Sequence, residues 1–407
     1  MQYESLSLPN GIRIIHLPSN SPVSYCGFAI NAGTRDEHGN QFGLAHFVEH
    51  MLFKGTKKRK PWHILNRMEN VGGELNAYTT KEDTFLYTVC LSDDIERAIE
   101  LLSDLIFNSV FIKEEINKER KVIIDEINSY RDNPSELIFD EFENLLFKGS
   151  DIGHNILGDE KSLNTFTSEY FHEFVNRLYL PNNIVFFSYG KTPFSKIIRL
   201  ANKYMLQDKH YPTLSFNRKA PDKITTQQVC KNKKLHQTHV IVGSRGYSLF
   251  NKKRIGLYFL NNILGGPGMN SRLNVSLREK HGLVYTVESG LTSYTDTGVF
   301  SIYFGCDPES RDKCLELTYK ELKKLRETQL TTSQLSAATK QLKGQMGISG
   351  DNNESVALSI GKSFLHLNRY DTLQEVYQKI DALTTEQLLE IANEVWDESG
   401  LFRLEYL

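Results

Sequence analysis

The chain has 407 residues, of which 40% are hydrophobic and 24% are charged, the balance of a globular protein. Its 48 basic and 50 acidic residues give a formal net charge of −2, which provides no strong overall attraction to nucleic acid or to an anionic membrane and leaves only a local basic patch to consider. The length exceeds what one hydrophobic core usually supports and suits two domains of about 200 residues each. Function must therefore reside in local motifs and not in overall charge.

No targeting or membrane segment is recognisable. The first ten residues carry an acid, and they lack both the order of a signal peptide and the arginines of a mitochondrial presequence. No run approaches the roughly 18 to 20 apolar residues that span a bilayer. The five cysteines are scattered without a CxxC pair, which argues against a disulfide framework or a cysteine-bound zinc. The expected location is a reducing cytoplasm.

Residues 43–53 predict a mostly buried helix with three polar side chains, His46, Glu49 and His50. Residues i and i+4 of a helix face the same way, so both imidazoles can bind one metal ion with the carboxylate beside them. The order HxxEH inverts the zinc-protease motif HExxH and is the signature of inverzincins. The alternative interpretation is a buried polar cluster held by hydrogen bonds.

A hairpin and a long helix follow. Residues 75–80 and 84–91 predict neighbouring strands, and residues 112–131 predict a helix. On that helix Glu119 and Glu126, seven residues apart, share one face. Catalytic zinc usually has three protein ligands and an open position, so Glu126 is the predicted third ligand. Glu119 is predicted to orient a histidine, and the alternative for it is a solvated helix residue.

The second half of the chain repeats the first at an offset of about 216 residues. Residues 78–90 align with residues 294–306, and a helix, a break and a strand close both halves, at 167–189 and 384–407. A steady offset across separated blocks is the mark of an internal repeat. We therefore predict two homologous domains.

The stretch between the halves is polar, contains prolines and lacks a clear period, which predicts a linker. The predicted organisation is an N-terminal domain at 1–212, a linker at 213–222 and a C-terminal domain at 223–407. Long helices beside hairpin-like strands favour an α+β class, in which mostly antiparallel sheets are covered by helices.

At these residues the chain resembles a known family, the inverted-motif metallopeptidases that include pitrilysin, insulin-degrading enzyme and the mitochondrial processing peptidase. The motifs that carry the likeness are HFVEH at 46–50, Glu119 with Glu126, GGELNAYT at 72–79, LGGPGMNSRL at 264–273 and REKHGLVY at 278–285. The likeness covers essentially the whole chain, whose size is similar to that of the short, two-domain subunits. One departure is Pro267, where many relatives have glycine.

The resemblance implies a LuxS/MPP-like fold and a zinc endopeptidase. His46, His50 and Glu126 would bind one zinc ion per chain, and Glu49 would be the general base. The residue-level reading agrees, because zinc lowers the pKa of bound water and a neighbouring carboxylate can remove its proton.

The resemblance also implies a substrate site in two parts. Asn76 and Ala77 would lie on the strand to which an extended peptide adds by main-chain hydrogen bonds. Arg278 and Tyr285 would hold substrate carbonyls or stabilise the developing oxyanion. The alternatives are a turn-capping role for Asn76, and a surface ion pair and a core aromatic for the other two.

The second half has no metal site of its own, because the positions equivalent to the HxxEH motif hold Asn262, Gly265 and Gly266. The family closes four such domains around a chamber, and this chain offers two. The resemblance therefore implies a homodimer, in which each site pairs zinc of one chain with Arg278 and Tyr285 of the other. It leaves open a heterodimer with a related subunit.

Two functions from different classes remain. The leading hypothesis is a zinc endopeptidase that cleaves unstructured peptides or short polypeptide segments inside a closed chamber. The rival is a non-catalytic structural subunit or the partner of a heterodimeric peptidase. An intact HxxEH with its distal glutamate favours the enzyme, because a scaffold would be free to lose both. The basic run at 57–60 predicts a solvated loop, so neither nucleic acid nor membrane is an expected partner.

Overall fold

The computed structural model describes residues 2–39, 41–206, 218–222 and 226–407. The chain divides into two compact units. The first unit comprises Met1–Asn128, Asn155–Arg218 and Ser349–Thr372, and the second comprises Ser129–His154, Lys219–Ile348 and Leu373–Leu407. Of the predicted linker at 213–222, residues 213–217 lie outside the described residues. The boundaries of the two homologous domains stay a prediction, because the two compact units are defined by contacts between residues and not by common ancestry.

The strands of the described residues form two sheets. They are β1 (Glu4–Ser7), β2 (Arg13–Pro18), β3 (Val23–Ile30), β4 (Glu74–Thr79), β5 (Thr84–Leu91), β6 (Ile184–Gly190), β7 (Gln228–Lys231), β8 (Thr238–Gly246), β9 (Val284–Ser293), β10 (Gly298–Cys306) and β11 (Phe402–Tyr406). The predicted hairpin is therefore β4 and β5, and the predicted closing strands of the two halves are β6 and β11.

The α-helices of the described residues cover these sheets. They are α1 (Leu44–Leu52), α2 (Pro61–Glu69), α3 (Ile95–Asn108), α4 (Lys113–Arg131), α5 (Pro134–Leu146), α6 (Glu160–Leu163), α7 (Ser168–Leu178), α8 (Phe194–Tyr204), α9 (Arg254–Gly265), α10 (Arg311–Glu327), α11 (Thr332–Ser349), α12 (Asn353–Leu367), α13 (Leu373–Asp381) and α14 (Thr385–Val395). None of them combines the length and the hydropathy that crossing a membrane requires.

The sheet of the first unit has the strand order β1-β2-β6-β3-β5-β4. All of its described pairings are antiparallel except β2 with β6. Its central strands β3 and β6 are mostly apolar and mostly buried, as expected for a sheet that is covered on both faces. One face packs on a core that includes side chains of α1, α3 and α7. The other face packs on α12, where a Cβ atom added to Gly361 would lie 2.7 Å from the Phe187 ring.

The sheet of the second unit has the strand order β7-β11-β8-β10-β9 and is antiparallel except for β7 with β11. One face packs on a core that includes side chains of α9, α10 and α14. The other face packs on α5, and Phe142 of that helix lies against Gly243 of β8. The predicted α+β class, with mostly antiparallel sheets covered by helices, is confirmed.

Helices α5 and α12 occupy equivalent places in the repeat, yet each belongs to the unit built mainly from the other half of the sequence. The 349–372 segment completes the first unit, and the 129–154 segment completes the second. Hydrophobic periodicity identifies a buried helix face but not the sheet that buries it, so this exchange is invisible in the sequence.

Candidate metal centre and active site

Helix α1 carries the HxxEH motif, and a glutamate anchors its N-terminus. The two oxygens of the Glu37 carboxylate accept hydrogen bonds from the backbone N–H groups of Gly43 and Ala45, at 3.0 and 2.8 Å. Gly43 has a φ of +91°, a conformation that glycine adopts without strain. A carboxylate at the positive end of a helix stabilises the helix. These contacts fix the N-terminus of α1.

His46 and His50 lie one turn apart on α1 and face Glu126 on α4. The His46 Nε2 atom is 3.8 Å from Glu126 Oε1, and the His50 Nε2 atom is 3.6 Å from Glu126 Oε2. Donor atoms about 2.0 to 2.1 Å from a tetrahedral zinc ion are separated by roughly 3.3 Å. Two imidazoles and one carboxylate are a donor set that zinc accepts. These three residues therefore fit one zinc ion.

The two histidines differ in electrostatic environment. Burial lowers the pKa of His46 to about 3, so its ring is neutral and able to bind a metal at ordinary pH. Burial also lowers the pKa of His50, but the carboxylates of Glu119, Glu49 and Glu126 outweigh it and leave the pKa above its usual value. Zinc must therefore compete with a proton for His50 more than for His46.

Glu119 holds the far side of the His50 ring. Its Oε1 atom lies 2.9 Å from His50 Nδ1, and its Oε2 atom lies 2.5 Å from the Lys54 ammonium. Burial raises the pKa of Glu119, but the hydrogen bonds with His50 and Lys54 outweigh it and lower the pKa overall. In the neutral ring, an ionised Glu119 makes Nδ1 the hydrogen-bond donor, which leaves Nε2 free of a proton and open to a metal. Sequence reasoning missed Lys54, although it lies four residues after His50.

Replacing Glu119 with glutamine is expected to lower zinc affinity about 10- to 100-fold, because the amide holds the His50 tautomer less firmly and removes a negative charge. Titration with a zinc-competing chelator would measure the change. Glu115→Gln, on the same helix one turn away, is the matched control and is expected to leave the affinity unchanged. Equal affinities for wild type and Glu119→Gln would contradict the assigned role.

Glu49 lies between the two histidines in the motif and is 8% exposed. Burial raises the pKa of its carboxyl, and a hydrogen bond from Thr79 partly opposes this. The Thr79 Oγ1 hydroxyl donates to Glu49 Oε2 at 2.6 Å. A buried carboxylate with a raised pKa is a suitable proton acceptor near neutral pH. Thr79 was not among the predicted site residues, although it ends the motif at 72–79, because its contact with Glu49 depends on how β4 packs beside α1.

Asn76 and Ala77 lie on β4, opposite Tyr87 and Leu86 of β5. Within the described sheet β4 is one of the two edge strands, and α1 packs beside it. An edge strand presents unpaired backbone N–H and C=O groups that can pair with an added strand. This position suits the predicted role of both residues.

Arg278 and Tyr285 belong to the second unit. Arg278 lies in a π-helical turn, Asn274–Glu279, and its guanidinium carbon is 5.8 Å from the centre of the Tyr285 ring. Tyr285, on the edge strand β9, is 85% exposed. Both line a cavity of about 530 Å³, together with Asn262, Gly265 and Gly266 from the positions that correspond to the HxxEH motif. The second unit thus has an open cavity lined by glycines and amides at the place equivalent to the metal ligands.

Comparison with known proteins places the chain in a family. The model of the insulinase family, peptidase family M16, matches residues 14–160, and that of the M16 peptidase inactive domain matches residues 165–342. An uncharacterized zinc protease of Rickettsia felis is 33% identical over 395 residues, 96% of this chain and 94% of the relative. The chain belongs to the insulinase family. The resemblance inferred from its motifs is confirmed.

Other insulinase-family proteins and solved structures also match this chain over almost its whole length. The mitochondrial-processing peptidase subunit beta of Bos taurus is 30% identical over 401 residues, 96% of this chain and 82% of the relative. A protease structure from Helicobacter pylori superposes with a TM-score of 0.91 at 22% identity, covering 100% of this chain and 99% of that one. The structure of a peptidase M16 inactive domain from Pseudomonas fluorescens superposes with a TM-score of 0.91 at 20% identity, covering 100% of this chain and 98% of that one. These two structures support the fold.

Proposed function

We propose that this chain is a zinc metalloendopeptidase that cleaves unstructured peptides or short polypeptide segments. The observation that carries the proposal is the convergence of His46, His50 and Glu126 on one ion-sized position, with the buried Glu49 carboxylate in the same motif. When bound, zinc supplies Lewis acidity, which lowers the pKa of water and polarises a peptide carbonyl. Two relatives named as zinc proteases, each matched over almost its full length, support the same conclusion.

The residues of the chain would divide the remaining work. Glu49 takes a proton from the attacking water and returns it to the leaving amine, a task for which burial tunes its carboxyl. Glu119 keeps the His50 ring in its binding orientation. The β4 edge with Asn76 and Ala77 aligns the peptide backbone by strand addition. Arg278 would hold carbonyl oxygens of the substrate.

We also propose that the active form is a homodimer. The first unit has the metal ligands, whereas the second has Arg278, Tyr285 and a glycine- and amide-lined cavity at the equivalent place. A site that needs both parts can draw them from two chains related by two-fold symmetry. The bovine relative is named as a subunit, so a heterodimer with a related chain is the competing arrangement.

The purified full chain is expected to contain one zinc ion per chain and to cleave a quenched fluorescent peptide without an added partner. A chelator should abolish cleavage, and added zinc should restore it, because the proposed ligands hold the ion reversibly. Elemental analysis and fluorescence would measure both. A chain that binds no zinc, or that cleaves equally with the chelator, would refute the proposal. Zinc binding without cleavage until a second chain is added would refute only the homodimer.

A further inference from the structure

Thr79 makes a short contact with the proposed general base. Its hydroxyl donates a hydrogen bond of 2.6 Å to Glu49 Oε2. We infer that Thr79 is a positioning residue for Glu49, which holds one carboxylate oxygen so that the other faces the reacting water. The inference rests on the proposed peptidase function and goes beyond it in assigning a role to β4 besides peptide alignment.

The Thr79 hydroxyl is fixed by the sheet and not by a loose loop. Thr79 is the last residue of β4 and pairs with Thr84, the first residue of β5. The turn between them is held by Thr80, whose hydroxyl donates to Asp83 Oδ1 at 2.8 Å. A hydroxyl that is held by such a framework can fix the position of the oxygen that accepts its hydrogen bond within a fraction of an ångström.

The same turn is anchored to α12. Asp83, 1% exposed, lies 3.1 Å from His366 Nε2 and 3.3 Å from the Lys362 ammonium. The His366 and Lys362 contacts lower the pKa of Asp83 to about 2, outweighing the opposite effect of burial, so the carboxylate stays charged and the anchor persists at physiological pH. The position of Thr79 therefore depends on the sheet and on α12, which packs against the sheet.

Holding one oxygen has a specific consequence for a glutamate. The terminal torsion of the side chain is broad, so an unrestrained carboxylate samples many orientations. Among the described residues, the Thr79 hydroxyl is the hydrogen-bond donor to the Glu49 carboxylate, and it reaches only Oε2. Glu49 Oε1 would then be the oxygen that takes the proton from the reacting water. Misplacing a reacting group by about 1 Å can cost roughly 100-fold in rate.

A purely structural role is the alternative, since threonine is favoured in strands for its shape alone. Valine separates the two roles because it keeps the shape and the strand propensity but removes the donor. Serine restores the donor without the methyl group. Thr88→Val is the matched control, because Thr88 on the neighbouring strand donates to the Glu74 carbonyl and not to Glu49.

The test compares these variants as zinc-loaded full chains. Thr79→Val is expected to lower kcat about 10- to 100-fold, with bound zinc and KM within about twofold of wild type. Thr79→Ser should recover most of the loss, and Thr88→Val should match wild type. A loss of zinc in Thr79→Val, an unchanged kcat, or a serine variant as slow as the valine variant would overturn the inference.

A second readout does not depend on activity. Infrared difference spectra between each chain and its Glu49→Gln counterpart, labelled with ¹³C-glutamate, isolate the carboxylate stretch of Glu49. The band is expected to shift in Thr79→Val and to stay in place in Thr79→Ser, in zinc-free and zinc-loaded protein alike. An unchanged band in the valine variant would overturn the contact even if wild type proved inactive. Absence of cleavage by zinc-loaded wild type would instead refute the peptidase function.

Discussion

Glu49→Gln is expected to reduce peptide cleavage about 100- to 10,000-fold while the chain keeps its zinc. The amide has the shape of the carboxylate, and its oxygen can still accept the hydrogen bond from Thr79. It cannot accept a proton from water, so only the acid–base step is lost. His46, His50 and Glu126 are unchanged, and they alone form the metal-ligating cluster found among the described residues.

Bound zinc and turnover of the quenched peptide would be measured on the same preparation. Glu69→Gln, at the exposed end of α2, changes the same functional group away from the motif and should behave as wild type. A Glu49→Gln chain that cleaves as fast as wild type would refute the assignment of the general base. One that has lost its zinc would show that Glu49 supports the metal and not the proton transfer.

Two inactive variants are expected to complement each other if the active form is the proposed homodimer. One chain carries Glu49→Gln, and the other carries Arg278→Ala. In the mixed dimer one site combines both defects, whereas the other combines an intact metal site with an intact Arg278. A mixed dimer selected by two affinity tags should therefore recover about half of the wild-type activity.

The control pairs Glu49→Gln with His50→Ala. Both substitutions affect the same half-site, so each site of that mixed dimer contains one of the defects and no activity should return. Recovery in the first pair but not in the control would support sites shared between chains. No recovery in either pair would show that each chain supplies its own Arg278. A chain that sedimentation shows to be monomeric and active would exclude the dimer outright.

Local periodicity explains why the HxxEH helix and its partner could be predicted. Positions i and i+4 of any α-helix share a face, so His46 and His50 had to lie together once residues 43–53 were helical. The seven-residue spacing of Glu119 and Glu126 works in the same way on α4. The structure brings all four side chains together, and their catalytic roles stay proposals.

Two residues of the site, Lys54 and Thr79, could not be predicted because they join it through contacts between separate elements. Lys54 reaches Glu119, and Thr79 reaches Glu49, across gaps in sequence of 65 and 30 residues. No periodicity links such pairs, since their separation is set by how helices and strands pack. Both residues therefore entered the site only through the three-dimensional arrangement.

The sequence by itself determined the family and the helical faces, because these follow from residue identity and from short, regular spacing, and it predicted the repeat. Only the tertiary structure decided that β4 is an edge strand beside α1, that α5 and α12 are exchanged between the units, and that Thr79 meets Glu49. The physical reason is that burial of an apolar face is non-directional. A hydrophobic pattern states that a face is covered, and the packing of the whole chain selects what covers it.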